Sequence, residues 1–250
     1  MVIIRKPDEI EKIRESNIIV AEILEALKEE VKVGITTEEL NEYSEELARR
    51  WGAKPAFKGY RGYPYALCTS INEEVVHGMP SRRRLKEGDI ISLDFGVYYK
   101  GFYGDAAITV PVGQVSEGAR KLIRVTEEAL YKGIAEARAG NRLGDISAAV
   151  QTHVERAGFS VVREFVGHGI GSELHEDPQI PNFGTRGRGV LLKEGMVLAI
   201  EPMVNAGTYK VKILDDGWTV VTEDGSLSAH FEHSVAITAN GPEILSRRKI

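Results

Sequence analysis

One pattern occurs twice in this chain. Leu-Lys-Glu-Gly, then a short largely apolar run, then an aliphatic residue and a carboxylate, spans Leu85–Asp94 as LKEGDIISLD. It recurs 107 residues later at Leu192–Glu201 as LKEGMVLAIE. Each copy reads as a turn closed by glycine, Gly88 or Gly195, leading into a buried strand. The residues upstream repeat as well: Val33-Gly34 aligns with Ala139-Gly140, Leu40 with Ile146 and Gly52 with Gly158, all at an offset of 106. Lys-Glu-Gly alone is ordinary turn composition. Two offsets that agree within one residue are hard to attribute to chance, so the chain reads as two copies of helix, helix and strand ribbon. The expected halves are about 1–110 and 111–250. Between them Pro111-Val112-Gly113 is too short for a linker and nothing is low-complexity. The fold class is therefore α/β (α+β), a single 1–250 domain with pseudo-two-fold symmetry.

The helical segments are readable from period and caps. Pro7-Asp8-Glu9 is a start signal, and Ile10, Ile13, Val20, Leu24, Leu27 and Val31 make one stripe in which polar Asn17 fills the remaining turn. Thr36-Thr37-Glu38-Glu39 contains a capping box, and Leu40, Tyr43, Leu47 and Trp51 carry a second helix to Gly52. Ser116 opens a third helix through Leu122, Ala129 and Ile134 to Gly140. Asn141 starts a fourth through Ile146, Val150 and Val154 to Gly158.

The stretch Leu85–Asp105 predicts two antiparallel strands, with Gly96 and Gly101 bracketing the reversal. If the strands pair around Asp94 and Asp105, the two carboxylates lie side by side on one face. They would then repel and hold a proton between them unless a cation neutralised both. His168 stands between glycines in Phe165-Val166-Gly167-His168-Gly169-Ile170-Gly171, a context that lets the backbone come close to something bound. His175 follows seven residues on. Val75-Val76-His77-Gly78 supplies a His-Gly pair in the first half, so each copy brings a histidine. Glu232 lies in Ser228–Ile237, which reads as one strand. His153, on the fourth helix, reads as structural.

Asp94, Asp105, His168, Glu201 and Glu232 form a set of four carboxylates and one imidazole. One divalent ion cannot balance a charge of −4 and two can. Oxygen-rich ligation with an imidazole suits Mn, Fe, Co or Zn. Two such ions, about 3.5–4 Å apart, share a bridging water whose pKa falls from about 15.7 towards about 7.

Composition narrows the partners. A net charge of −5 gives no reason to expect DNA or strong nucleic-acid binding. The single cysteine, Cys68, rules out an internal disulfide and suits a reducing compartment. No run approaches a membrane span, and Val2-Ile3-Ile4 is too short for a signal-peptide core, so a cytoplasmic location is expected. Arg82-Arg83-Arg84 reads as a solvated loop, with contact to ribosomal RNA as the alternative. Gly184-Thr185-Arg186-Gly187-Arg188-Gly189 reads as a mobile loop and not a phosphate cradle, since no GKS or GKT follows.

Over essentially all 250 residues the chain resembles the type I, bacterial-type methionine aminopeptidases of the pita-bread metallohydrolase superfamily. The likeness rests on Gly59-Tyr60-Arg61-Gly62-Tyr63-Pro64, Ser70–Gly78, Asp94 with Asp105, Gly167–Gly171, Glu201-Pro202-Met203 and Asp216-Gly217-Trp218. It implies a pita-bread fold, two pseudo-symmetric helix-helix-strand halves around a central antiparallel sheet. It implies removal of the initiator methionine from nascent polypeptides when the second residue is small, with two divalent ions (Co, Mn, Fe or Zn); a monomer is expected. By the same resemblance Asp94 chelates one metal, His168 and Glu201 complete the other, and Asp105 and Glu232 are shared or flanking. Glu201 accepts the proton, while His77 and His175 contact the substrate; hydrogen bonding behind the reacting groups is the alternative for both histidines. Tyr60, Tyr63, Cys68 and Trp218, with Phe57 and Leu174 as further candidates, match the methionine pocket, where aromatic edges and a thiol suit a thioether. Without the likeness they would read as core. His230 stands where the family often has glutamine, two residues from Glu232 and on the same strand face, as a partner of the metal carboxylates. The competing readings are a proline-directed peptidase, whose usual extra N-terminal domain has no room before a helix beginning at Asp8; a type II methionine aminopeptidase, whose insertion does not fit between Glu201 and Glu232; and a non-catalytic binding module, which would have lost metal ligands.

Overall fold

Residues 2–248 are described by a computed structural model. The first half contributes α1 (Pro7–Glu30), α2 (Thr37–Arg50), β1 (Lys54–Pro55), β2 (Leu67–Ile71), β3 (Glu74–Val76), β4 (Ile90–Tyr99) and β5 (Phe102–Pro111). The second contributes α3 (Glu117–Glu136), α4 (Leu143–Arg156), β6 (Ser160–Val161), β7 (Gly167–Gly169), β8 (Glu176–Ile180), β9 (Val197–Ile200), β10 (Met203–Asn205), β11 (Val211–Ile213), β12 (Val220–Thr222), β13 (Ser228–His230), β14 (Glu232–Thr238) and β15 (Gly241–Ile244). No helix among the described residues is long and apolar enough to cross a membrane.

Local chemistry explains the helix ends. Thr36 accepts from Glu39 N while the Glu39 carboxylate accepts from Thr36 N, the capping box read from the sequence. Ser116 caps α3 through Ala119 N. The fourth helix begins at Leu143, two residues later than expected, because Asp145 accepts from the backbone of Arg142 and so fixes Arg142, not Asn141, at the cap.

The two halves join in one antiparallel sheet of nine strands, ordered β1-β4-β5-β14-β9-β7-β8, with β2 also on β4 and β15 also on β14. Its helix-facing side packs Leu93, Phe95 and Val97 against Val20, Leu24, Leu27 and Leu40 in the first half. In the second half Leu198, Ile200, Val235 and Ile237 pack with Leu130, Ile134 and Ile146. Burying these side chains is the main favourable contribution to the fold, about 1.5–3 kcal/mol each before the entropy of ordering is counted. The duplication recurs in the hydrogen bonds. Gly34 N donates to Leu85 O and Gly140 N to Leu192 O; Leu85 N donates to Ile35 O and Leu192 N to Asn141 O.

Three local expectations change. The β4–β5 reversal is the two-residue loop Lys100-Gly101, both left-handed (φ 49° and 93°), as a tight hairpin requires. Gly96 is not in the turn but inside β4, where a Cβ would come within 2.9 Å of the Phe57 ring. Ser228–Ile237 is not one strand: the chain leaves a three-stranded sheet (β13-β10-β6) at His230 and enters the large sheet at Glu232. The Gly184–Gly189 segment is tied to the start of α4, with Gly187 N donating to Asp145, Arg142 to Gly189 O and Gly144 N to Arg188 O.

Candidate metal centre and active site

Strand register assembles the site. Cys68 lies opposite Asp94, Asp94 opposite Ala107, and Ala107 opposite Glu232. The pairing of His233 with Ile200 continues the row by setting Glu232 across from Glu201. Directly opposed residues share a sheet face, so this row crosses five adjacent strands, β2, β4, β5, β14 and the end of β9, from both halves on the side away from the helices. Asp105 faces Gly96, two residues along from the row, so it is a diagonal neighbour of Asp94 on the same face and not its direct opposite. His168 pairs with Ala199, two residues from Glu201, and completes the cluster. The alternation that buries Leu93 and Phe95 against helices is what aims Asp94 the other way.

The same register corrects the histidine equivalence. An offset of 107 carries Ser92 onto Ala199, and their strand partners are Ser70 and His168, so by pairing the counterpart of His168 is Ser70. His77 lies beyond β3, which belongs to a separate sheet with β12 and β11.

The donor set is preorganised. His168 Nδ1 lies 2.9 Å from Gly169 O; donating there leaves the Nε2 lone pair facing the carboxylates, 3.4 Å from Glu201 Oε1. Asn17 accepts from Asp105 N (3.2 Å) and donates to Ile13 O, and Ser234 donates to Asp105 O. Gly104 lets β5 approach α1: a Cβ there would sit 2.7 Å from the Asn17 amide nitrogen. The polar residue read as filling a turn of α1 therefore holds the backbone of Asp105, 88 positions away.

Buried polar atoms normally find partners. Among the described residues six buried side-chain nitrogens and oxygens have none, and five of them crowd this point: Asp94 Oδ1, Asp105 Oδ1, Glu232 Oε1 and both ring nitrogens of His230. Burial pushes the Asp94 carboxyl up to about 7, with Glu201 raising it further and His230 opposing. Burial likewise takes Glu201 up to about 7, with His168 opposing. Asp105 and Glu232 are held well above the carboxylate range by burial and by the neighbouring acids. Ligand atoms of Asp105, His168 and Glu232 lie within 4.8 Å of one another, as do those of Glu201, His230 and Glu232. Orphaned acceptors, raised carboxyls and converging donors fit a pair of divalent cations, which would supply the missing partners and reverse the repulsion.

Beside the cluster a cavity of about 140 Å³ is lined by all the residues expected at the site: Phe57, Tyr60, Tyr63, Cys68, His77, Asp94, Asp105, His168, Leu174, His175, Glu201, Trp218 and Glu232. Its size is that of a cavity able to take one small apolar group. Tyr63 and Trp218 meet edge to face at 5.2 Å, and Tyr63 OH lies 3.0 Å from Gly78 O. His77 has a left-handed backbone (φ 60°), and burial lowers its imidazole to about 4, so it is neutral near pH 7. His175 Nδ1 is 2.8 Å from Tyr60 OH, and its ring lies 4.2 Å from that of His168. Burial and His168 lower its pKa, though its open edge at the mouth lets solvent moderate the effect. Phe57 and Leu174 are buried walls. His153 is outside the site, 3.0 Å from Glu128, as its helix position suggested.

Arg61 also lines the cavity, with its guanidinium over the Tyr60 ring. The motif around it was legible, but no pattern assigned it a place. The pair Arg5–Glu176, which fixes the segment after His175, had no sequence signal at all.

Comparison with known proteins agrees with this geometry. The pattern of metallopeptidase family M24 matches residues 11–239. A methionine aminopeptidase from Clostridium perfringens is 57% identical over 98% of this chain and 99% of its own. Methionine aminopeptidase 1 of Bacillus subtilis is 55% identical over 99% of this chain and 100% of its own. The crystal structure of methionine aminopeptidase from Thermotoga maritima superposes with a TM-score of 0.98 at 51% identity, covering 99% of this chain and 100% of that one. With a curled antiparallel sheet carrying an acid-rich centre and near full-length kinship of this order, the chain belongs to metallopeptidase family M24, among its methionine aminopeptidases.

Proposed function

We propose that the protein removes the N-terminal methionine of polypeptides by metal-assisted hydrolysis of the first peptide bond. The observation that carries this reading is the single cavity that joins an apolar, thiol-containing pocket to the four-carboxylate, one-imidazole cluster. Asp94, Asp105, His168, Glu201 and Glu232 would hold two divalent ions, of Co, Mn, Fe or Zn type by their donor chemistry. Bound there, the ions would acidify a water and polarise the scissile carbonyl.

The chain's own side chains supply the rest. Tyr60, Tyr63, Cys68 and Trp218 enclose the thioether, with Phe57 and Leu174 behind them. Glu201, whose raised pKa suits exchange near neutrality, takes the proton of the attacking water and passes it to the leaving amine. With the Tyr60 hydroxyl donating to His175 Nδ1, Nε2 carries the proton and can donate to the developing oxyanion. His77, neutral through burial, donates to the substrate from the other side.

Both halves supply the acid row, so the two act as one catalytic unit, and a monomer is the expected working form. Nascent chains with a small second residue are the expected substrates by kinship. A single buried cysteine favours the cytoplasm. A ribosome contact would fall on the Arg82–Arg84 loop, where the Arg82 side chain is 94% exposed. The test is hydrolysis of Met-Ala-Ser and of Ala-Pro peptides across Mn, Fe, Co and Zn. Release of Met that is abolished by Asp105→Asn and Glu232→Gln is expected; cleavage confined to Ala-Pro, or none in any metal, overturns the reading.

A further inference from the structure

We propose that His230 supplies a second imidazole to the metal centre, so that a cation held between Glu201 and Glu232 gains a nitrogen donor in addition to that of His168. The proposal rests on the divalent-metal reading of the site and extends its ligand set.

His230 is 1% exposed, and neither ring nitrogen has a hydrogen-bond partner among the described residues. A neutral imidazole buried for packing places its N–H on an acceptor and its lone pair on a donor. Here Nε2 is turned instead toward the acids, 3.6 Å from Glu201 Oε2, in a trio with Glu232 whose ligand atoms lie within 4.8 Å of one another. Two donors each about 2.0–2.2 Å from one ion are separated by roughly 3–3.6 Å at adjacent positions, so the Glu201–His230 spacing fits.

The ring's direction is set by its backbone. His230 N donates to Thr109 Oγ1 (2.9 Å), the Thr109 hydroxyl donates to His230 O (2.8 Å), and Met203 is its strand partner. The chain then changes sheets at Phe231, which lets His230 and Glu232 approach one point from two sheets. An imidazole adds a donor without adding charge, which a site already holding four carboxylates favours. Its consequence is selectivity: with two nitrogen donors, that ion, the second to bind, should favour Fe, Co or Zn over Mn or Mg.

The experiment uses the full chain, stripped with a chelator and reloaded with zinc. In wild type, side-chain nitrogen NMR should show metal-bound shifts for two of the six histidines, and zinc-edge absorption should count about one imidazole per ion. In His230→Gln one shift should vanish, the count should halve, and the second zinc should bind about tenfold or more weakly by calorimetry while the first is unchanged. A single metal-shifted histidine in wild type overturns the proposal. So does a His230→Gln chain of native circular dichroism that keeps both the imidazole count and second-site affinity within twofold. If His230→Gln does not fold, the wild-type NMR and absorption counts decide alone. Failure of wild type to bind any divalent ion would instead sink the metal-centre reading on which this one stands.

Discussion

Replacing Arg5 with alanine should destabilise the protein far more than an N-terminal surface change would. Arg5 and Glu176 are joined across 171 positions with side chains only 5% and 7% exposed. Nη2 donates to both carboxylate oxygens, at 2.6 Å to Oε2. Gly171 makes room for the guanidinium, since a Cβ there would lie 2.2 Å from Nη2. Removing one partner of a buried pair costs about 3–5 kcal/mol because the other charge stays buried without it. Glu176 keeps two hydrogen bonds, from Glu173 N (3.0 Å) and Ser172 Oγ (3.2 Å), so the lower end applies. A loss of about 3 kcal/mol lowers Tm by roughly 6–12 °C in a chain of this size. Urea unfolding and thermal circular dichroism at matched metal loading measure both. Arg5→Met combined with Glu176→Gln leaves no buried charge and should recover at least half of the loss. An Arg5→Ala chain within about 1 kcal/mol of wild type would refute the argument. So would a double variant as unstable as the single one. Because Glu176 directly follows His175, kcat/KM for a Met-peptide should also fall in Arg5→Ala.

Other outcomes follow from the same geometry. Asn17→Ala should cost about 1–3 kcal/mol, since it leaves the buried Asp105 amide unpaired; calorimetry should also show weaker divalent-ion binding, and unchanged affinity would dissociate Asn17 from the site. With Asp94 and Glu201 both near 7 in the metal-free protein, protons and cations compete, so apparent metal affinity should weaken as pH falls below about 7. Calorimetry in buffers of different ionisation enthalpy should accordingly find more protons released on metal binding at pH 6 than at pH 8, and equal release at the two would contradict the raised carboxyls. Trp218→Ala removes a wall that meets Tyr63 at 5.2 Å, so KM for a Met-peptide should rise about tenfold with a smaller change in kcat; a pure kcat loss would move Trp218 out of the pocket.

Much of this molecule was legible in one dimension because its signals are local. The helix caps at Thr36 and Ser116 satisfy their own backbone within three residues, and the Leu93/Asp94/Phe95 alternation separates core from site by the two-residue period of a strand. The duplication was visible because both copies solve the same turn-and-strand problem with the same residues. Asp94, Asp105, His168, Glu201 and Glu232 could be named as candidates from residue chemistry. What tertiary structure decided was register. Only strand pairing shows that Cys68, Asp94, Ala107, Glu232 and Glu201 form one row, that Asp105 sits diagonally, and that His77 is not the counterpart of His168. The same holds for Asn17 beneath Asp105, Arg5 on Glu176, and the sheet change that turns His230 toward Glu201. Residue type and local spacing determine which face a side chain takes within its own element. Which distant side chain it meets is set by how two buried surfaces interlock, and that depends on the whole core at once.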